Sequence, residues 1–233
     1  MSIMKRLIFI FALSIISIHL CAQDLSFKGV MVDGDVTAFV KKLQAKGMTL
    51  HKGGFKDNDT MYDTHNDDAM DMKMLVEKHL PIPMEGIFLD QEVIVAIYFT
   101  RTSHKVYNLE VMFTHRAEQP EYRFWDSIQS ALLFYTGLKN QLEQKYNAPF
   151  AVTEQGPQGP LDNTQNIKQL VSSKKVQYRS GYLAAPLGEV IAYISTTNNK
   201  PYLGDLCVIL DYININNKDL NSKEINDIYQ SEI

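Results

Sequence analysis

Two strand patterns recur in this chain at a nearly constant distance, and they constrain its fold more than any other feature. The tripeptide EVI at residues 92–94 returns at residues 189–191, an offset of 97 residues. The alternating apolar residues of 109–113 return at the same offset in 206–210. Alternation of this kind is typical of strands that bury one face. The sequence therefore predicts the same antiparallel hairpin twice.

Strands surround both copies of this hairpin. Residues 84–100 and 104–115 are rich in β-branched and aromatic side chains and predict three antiparallel strands. Residues 175–184, 189–197 and 203–213 have the same character and predict three more.

An amphipathic helix is expected before each set of strands. The first has Asp35 as N-cap and Gly47 as its stop, with apolar residues at helical spacing between them. The second and longest extends from about residue 125 to residue 146, where Asn147 suits a left-handed end and Pro149 prevents continuation.

These elements predict an α+β fold: a tandem pseudo-repeat of an amphipathic helix plus a three- to four-stranded antiparallel sheet. Residues 93–99 are apolar at consecutive positions, which favours joining or packing of the two sheets. The polar tail is expected to hold at most a short helix, near residues 222–229. The expected divisions are a signal peptide (1–23), a first module (24–116), a second module (117–216) and a polar C-terminal tail (217–233).

Residues 1–23 have the pattern of a secretory signal peptide. Two basic residues precede the apolar run LIFIFALSII, which is too short to span a bilayer. No later apolar stretch is long enough for a transmembrane segment. We expect export to the periplasm or the exterior after the leader is removed.

Cys21 raises the question of a lipid anchor. A lipidation signal needs small residues before its cysteine, but His19 and Leu20 stand there. An ordinary signal peptidase would accept a cut after Ala22 or after Gln23. The sequence favours this ordinary cut over lipid attachment to Cys21.

Charge and cysteine content exclude several classes of protein. The formal net charge of −4 becomes −6 without the leader, because two basic residues and no acidic one are lost. This negative charge disfavours nucleic acid as a partner. Without Cys21, the only thiol is Cys207, so no disulfide is expected. Cys207 lies in the apolar run DLCVILDY, which predicts a buried structural cysteine instead of a nucleophile.

The acidic segment 57–71 is the one weak candidate for a metal site. Asp63, His65 and Asp67 lie close together in the sequence and are its candidate ligands. No frame of the segment has the ligand spacing of a calcium loop. A solvated acidic loop at a helix start explains the segment better.

No catalytic residue and no cofactor are predicted. The chain has no G-x-S-x-G elbow, glycine-rich phosphate loop or H-E-x-x-H motif. Glu92 and Glu189 recur at equivalent positions. Two carboxylates are the catalytic pair of glycoside hydrolases, but a polar residue at the start of a strand after a turn explains both glutamates better. Trp125 lies on the apolar stripe of the long helix and is expected in the core.

The succession of VDGDVTAFVKKLQAKG, MEGIFLDQEVIVAIYFT, FWDSIQSALLFYTGLKNQLEQKYNAP and GEVIAYIS resembles a family of uncharacterised secreted proteins of Gram-negative gut anaerobes, over most of the mature chain. The expected architecture resembles the beta-lactamase-inhibitor protein and small outer-membrane assembly lipoproteins, which bind other proteins. We therefore expect an exported, non-enzymatic binding or protein-interaction module of the cell envelope, with another envelope or secreted protein as its partner. The alternative is a hydrolase or metal-dependent enzyme with its site in the acidic segment 57–71.

Overall fold

The computed structural model describes residues 24–51, 56–57, 60–61, 72–116, 122–123, 128–157, 164–196 and 206–231. Within these ranges the helices are α1 (Val36–Ala45), α2 (Met72–Glu77), α3 (Ile128–Tyr146), α4 (Thr164–Ser172) and α5 (Ile215–Ser231). The strands are β1 (Ser26–Phe27), β2 (Val30–Met31), β3 (Thr49–Leu50), β4 (Lys56–Asp57), β5 (Thr60–Met61), β6 (Ile82–Phe88), β7 (Gln91–Phe99), β8 (Val106–Arg116), β9 (Tyr122–Arg123), β10 (Ala151–Gln155), β11 (Gln177–Ala184), β12 (Gly188–Thr196) and β13 (Leu206–Asn214). The expected signal peptide lies outside the described residues.

One antiparallel sheet contains nine of these strands. Its order is β10-β11-β12-β13-β8-β7-β6-β3, and β9 pairs with β8 beside this path. The strands β1 and β2 form a separate hairpin, as do β4 and β5. The six strands predicted from the sequence correspond to β6, β7, β8, β11, β12 and β13.

The predicted tandem pseudo-repeat of helix-plus-sheet modules is wrong, although the two sets of strands do join, as residues 93–99 indicated. Strands from both halves of the chain share the one sheet, because β8 pairs with β13 along six residue pairs, from Phe113–Val208 to Asn108–Ile213. Two separate sheets would each leave a long apolar strand with an unpaired backbone edge. Pairing β8 with β13 satisfies both edges at once.

Helix α1 forms where the sequence predicts it. The Asp35 side chain accepts a hydrogen bond from the Ala38 amide at 2.9 Å, which caps the first turn. Gly47 follows the helix with φ of +84°, a left-handed conformation in which a Cβ atom would be strained. The apolar side of the helix is fully buried.

The long helix α3 also agrees with its prediction. It begins at Ile128 and ends at Tyr146, and Asn147 follows with φ of +66°. Asparagine is one of the few residues that adopts this conformation readily. The residues that α3 buries recur at three- and four-residue spacing and pack over β11, β12 and β13.

The main core lies on one face of the sheet. Val95, Val111, Leu210 and Ala192 follow one another across β7, β8, β13 and β12 in register, and all four are completely buried. Helices α1 and α3 contribute apolar side chains to the same cluster. The row continues through Ser180 of β11 to β10, so the core face extends to that edge of the sheet.

The polar tail forms a longer helix than predicted, since α5 covers Ile215–Ser231. The side chain of Asn214 accepts a hydrogen bond from the backbone N–H of Asn217 at 3.1 Å and so caps the helix start. The side-chain amide of Asn217 donates hydrogen bonds to the carbonyl of Val106 and to the carboxylate of Asp33, both at 2.8 Å. These partners are more than 100 residues away, so the sequence of the tail gave no sign of them.

Candidate functional site

A cleft of about 340 Å³ opens between helix α3 and strands β10 and β11. One side of α3 forms its first wall, because residues three, four and seven positions apart share a helix face. Glu154 of β10 and Tyr178 of β11 form the opposite wall, and they are directly paired across the two strands. The α3 residues that line the cleft are Leu132, Tyr135, Thr136, Lys139, Asn140 and Glu143.

An ion pair joins the two walls of the cleft. The Lys139 Nζ atom donates a hydrogen bond to Glu154 Oε1 at 2.5 Å. This bond raises the pKa of the Lys139 ammonium, despite the opposing effect of partial burial. Lys139 is therefore charged, and its ion pair with the partly exposed Glu154 links β10 to α3.

A second carboxylate, Glu143, lies in the same cleft one helical turn beyond Lys139. It makes no ion pair with any residue in the described part of the chain. The charged groups among the lining residues are one lysine and two glutamates, so the cleft has a surplus of one negative charge.

A buried serine, Ser180, lies beside Tyr135 and Tyr182, and Tyr178 is two residues before it on the same strand. Tyr135 is 1% exposed, and burial raises the pKa of its phenol, an effect that the neighbouring Ser180 hydroxyl reduces. Burial likewise raises the pKa values of Tyr178 and Tyr182. The Tyr182 hydroxyl donates to the Lys139 carbonyl at 3.3 Å. At neutral pH all three phenols are therefore protonated and can donate hydrogen bonds.

Two of these buried hydroxyls lack a hydrogen bond of standard geometry within the described residues: those of Tyr135 and Ser180. A buried polar group without a partner costs about 1–3 kcal/mol, so such groups are rare in folded proteins. The Tyr135 residue lines the cleft, but its hydroxyl is buried beside Ser180.

Strand β10 forms the edge of the sheet beside this cleft. All five of its residues are exposed, and among the described strands it pairs only with β11. Its start is fixed by Phe150, whose amide donates to the Gly181 carbonyl at 2.8 Å. The Phe150 ring lies so close over Gly181 that a Cβ atom there would approach it to 2.9 Å. No other described strand pairs with the remaining edge of β10, so this edge is open in the part of the chain that the structure describes.

A second polar cluster lies on the opposite face of the sheet. Glu110 of β8 and Asp211 of β13 are directly paired across the central seam, and Tyr193 of β12 lies beside them. Burial, followed by the Glu110 charge, raises the pKa of Asp211 to about 7, and Tyr193 opposes this rise by hydrogen bonding. Cys207 is fully buried on the same strand as Asp211, which confirms the predicted burial.

The structure does not bring the two sequence-equivalent glutamates together. Glu92 lies near the start of β7 and Glu189 near the start of β12, with β8 and β13 between these strands. Three steps of about 4.8 Å across a sheet already exceed the spacing that glycoside hydrolysis needs. Their interpretation as polar strand starts is confirmed.

The candidate metal ligands Asp63, His65 and Asp67 lie outside the described residues, as do Cys21 and Trp125. In the part of the chain that the structure describes, no three His, Cys, Asp or Glu residues are grouped to hold a metal ion. The same part contains no helix with the length and apolar character needed to cross a membrane.

Comparison of the chain with family models, curated proteins and solved structures finds no match. The resemblance to secreted proteins of gut anaerobes stays a prediction. The sequence did not indicate the cleft, because its polar residues form no known motif and β10 lies in a segment rich in Gln, Gly and Pro. The one available signal was the four-residue spacing of Lys139 and Glu143 on a predicted helix.

Proposed function

We propose that this protein is an exported, non-enzymatic module of the cell envelope that binds an extended segment of another envelope or secreted protein. The segment adds to the sheet as a further strand on β10, beside helix α3. The observation that carries this proposal is the exposed edge strand next to a lined cleft. Strand addition of this kind is a recurring mode of peptide recognition.

The backbone of β10 supplies affinity in this arrangement. An added strand pairs with the outward N–H and C=O groups of Ala151–Gln155, which belong to every second residue of an antiparallel strand, and all five residues are exposed. Five residues give an edge of about 17 Å, which is a usual strand length. Hydrogen bonds between backbones need no particular ligand sequence, so this contact alone would not be selective.

The cleft supplies selectivity. Successive side chains of an added strand point to opposite faces of the sheet, so every second one points to the face that carries Glu154 and Tyr178. Those side chains enter the space between β10 and α3, which is lined by Leu132, Tyr178 and the charged groups of Lys139 and Glu143. Exposed Val152 lies on the same face as Glu154 and adds an apolar contact nearby.

The chemistry of the cleft favours binding over catalysis. Lys139 is protonated and engaged by Glu154, and burial keeps the phenol of Tyr135 protonated. A general base for proton transfer works best with a pKa near the operating pH, and neither of these groups has one. The groups are arranged to hold a ligand in place.

Peptide display followed by hydrogen exchange tests the proposal. Random peptides of about seven residues, a strand length, are selected on immobilised protein comprising residues 24–233. We expect the selected peptides to slow amide exchange in Ala151–Gln155, because outward amides gain partners. Binding that protects other regions only, or a selection that yields no binder, would refute strand addition at β10.

Proline substitution provides a matched pair of variants. Thr153→Pro alters the edge strand β10, whereas Thr49→Pro places the same change on β3 at the far edge of the sheet. We expect Thr153→Pro to abolish binding of the selected peptides and Thr49→Pro to leave it unchanged, with circular dichroism verifying that both variants fold. Equal loss in both folded variants would contradict the proposed site.

A further inference from the structure

The cleft beside β10 has a charge that its own residues do not balance. Lys139 forms its ion pair with Glu154, and the second carboxylate, Glu143, acts on Lys139 only from a longer distance and forms no ion pair among the described residues. The whole chain is also acidic, with a formal net charge of −4. A ligand group that enters the cleft therefore meets a negative field.

Aromatic rings add to the attraction for a cation. Tyr135 and Tyr178 both line the cleft, with their ring centroids 6.2 Å apart and their planes inclined by 56°. A cation over a tyrosine face is stabilised by about 0.5–1 kcal/mol at exposed sites and by more when water is excluded. An anionic side chain would be repelled by Glu143, Glu154 and these ring faces. The one lysine that could attract it is already paired.

We propose that the cleft is a specificity pocket for a lysine or arginine side chain of the bound segment, so that the partner is a basic, extended peptide. This inference rests on the proposed strand addition at β10. The cation lies between the Glu143 carboxylate and the tyrosine rings, while its stem passes Leu132.

The geometry of the ion pair gives two substitutions with opposite effects. Glu143→Gln removes the unbalanced carboxylate, and we expect basic peptides to bind about fivefold more weakly, the effect of one partly exposed charge pair. Lys139→Met releases the Glu154 carboxylate, and we expect the same peptides to bind about fivefold more tightly. A residue with a purely structural role would weaken binding in both cases.

The probe is a peptide selected by display that contains one lysine, together with a copy in which norleucine replaces the lysine. We expect a fivefold preference for lysine in the native protein, measured as Kd by titration calorimetry at low salt, because screening weakens exposed charge pairs. The control variant Asp227→Asn changes an exposed charge on α5 and is expected to leave both Kd values unchanged.

The outcomes separate this inference from the proposed function. Peptides that protect β10 from exchange but show no preference for lysine over norleucine would overturn the specificity pocket and leave strand addition intact. A preference that persists in Glu143→Gln would also overturn it. Failure of every peptide to protect β10 would instead remove the proposed function itself.

Discussion

Replacing Asp211 by asparagine tests the electrostatics of the central seam of the sheet. Asp211 lies on β13 opposite Glu110 of β8, and burial is the main reason that its pKa is raised to about 7. The other charged groups that act on it are Arg179 of β11 and Lys218 of α5, which lower the pKa, and Tyr193 of β12 stands beside it. The folded protein therefore holds a proton on Asp211 that the unfolded chain releases near pH 3.8.

The sign and size of the effect follow from this difference. Because the folded pKa is the higher one, the stabilising contribution of the protonated group is complete below the unfolded value of 3.8 and is lost as the pH rises through about 7. The two values differ by about three pH units at about 1.4 kcal/mol each, so the loss approaches about 4 kcal/mol.

Urea unfolding at a series of pH values measures this loss. We expect the free energy of unfolding of Asp211→Asn, relative to the native protein, to rise by up to about 4 kcal/mol between about pH 4 and pH 8.5. Asparagine has a similar shape and cannot ionise, so other titrating groups cancel in the comparison. Asp219→Asn, an exposed change on α5, serves as the control. A difference between Asp211→Asn and the native protein that stays constant with pH would refute the reasoning.

Three further predictions concern other parts of the molecule. Asn217→Ala removes one buried and one partly buried hydrogen bond, so we expect a loss of about 1–3 kcal/mol in urea unfolding and faster amide exchange throughout α5; unchanged exchange would contradict the anchoring role. Tyr135→Phe removes an unsatisfied buried hydroxyl, so we expect the unliganded protein to gain about 1 kcal/mol, whereas a clear loss would indicate a hydrogen bond there. Mass spectrometry of the exported protein is expected to find Gln23 or Asp24 at the N-terminus, and a lipid on Cys21 would contradict the ordinary cut.

Local patterns explain which elements the sequence predicted well. Helix α1 depends on Asp35 and Gly47, both of which act within one turn of the helix. The strands β7 and β13 depend on alternating or continuous apolar residues within each strand. Such signals involve neighbouring residues only, so they can be recognised without knowing the fold.

Elements that depend on distant partners were missed or misjudged. Helix α5 has a polar sequence, and its anchors at Val106 and Asp33 come from remote parts of the chain. Strand β10 is exposed along its whole length and has no apolar alternation that would indicate a buried face. The pairing of Lys139 with Glu154 could not be foreseen, because it requires α3 and β10 to lie side by side.

By itself, the sequence determined helices α1 and α3 and the apolar strands, because their periodicity depends on neighbouring residues. Only the tertiary structure decided that β8 pairs with β13 and that β10 forms an edge beside α3. Every strand edge in the chain can form backbone hydrogen bonds with every other edge. Because the apolar strands have similar sequences, local patterns do not indicate which two edges pair. The cleft, its unbalanced carboxylate and the candidate binding edge all follow from the strand pairing that forms in the folded protein.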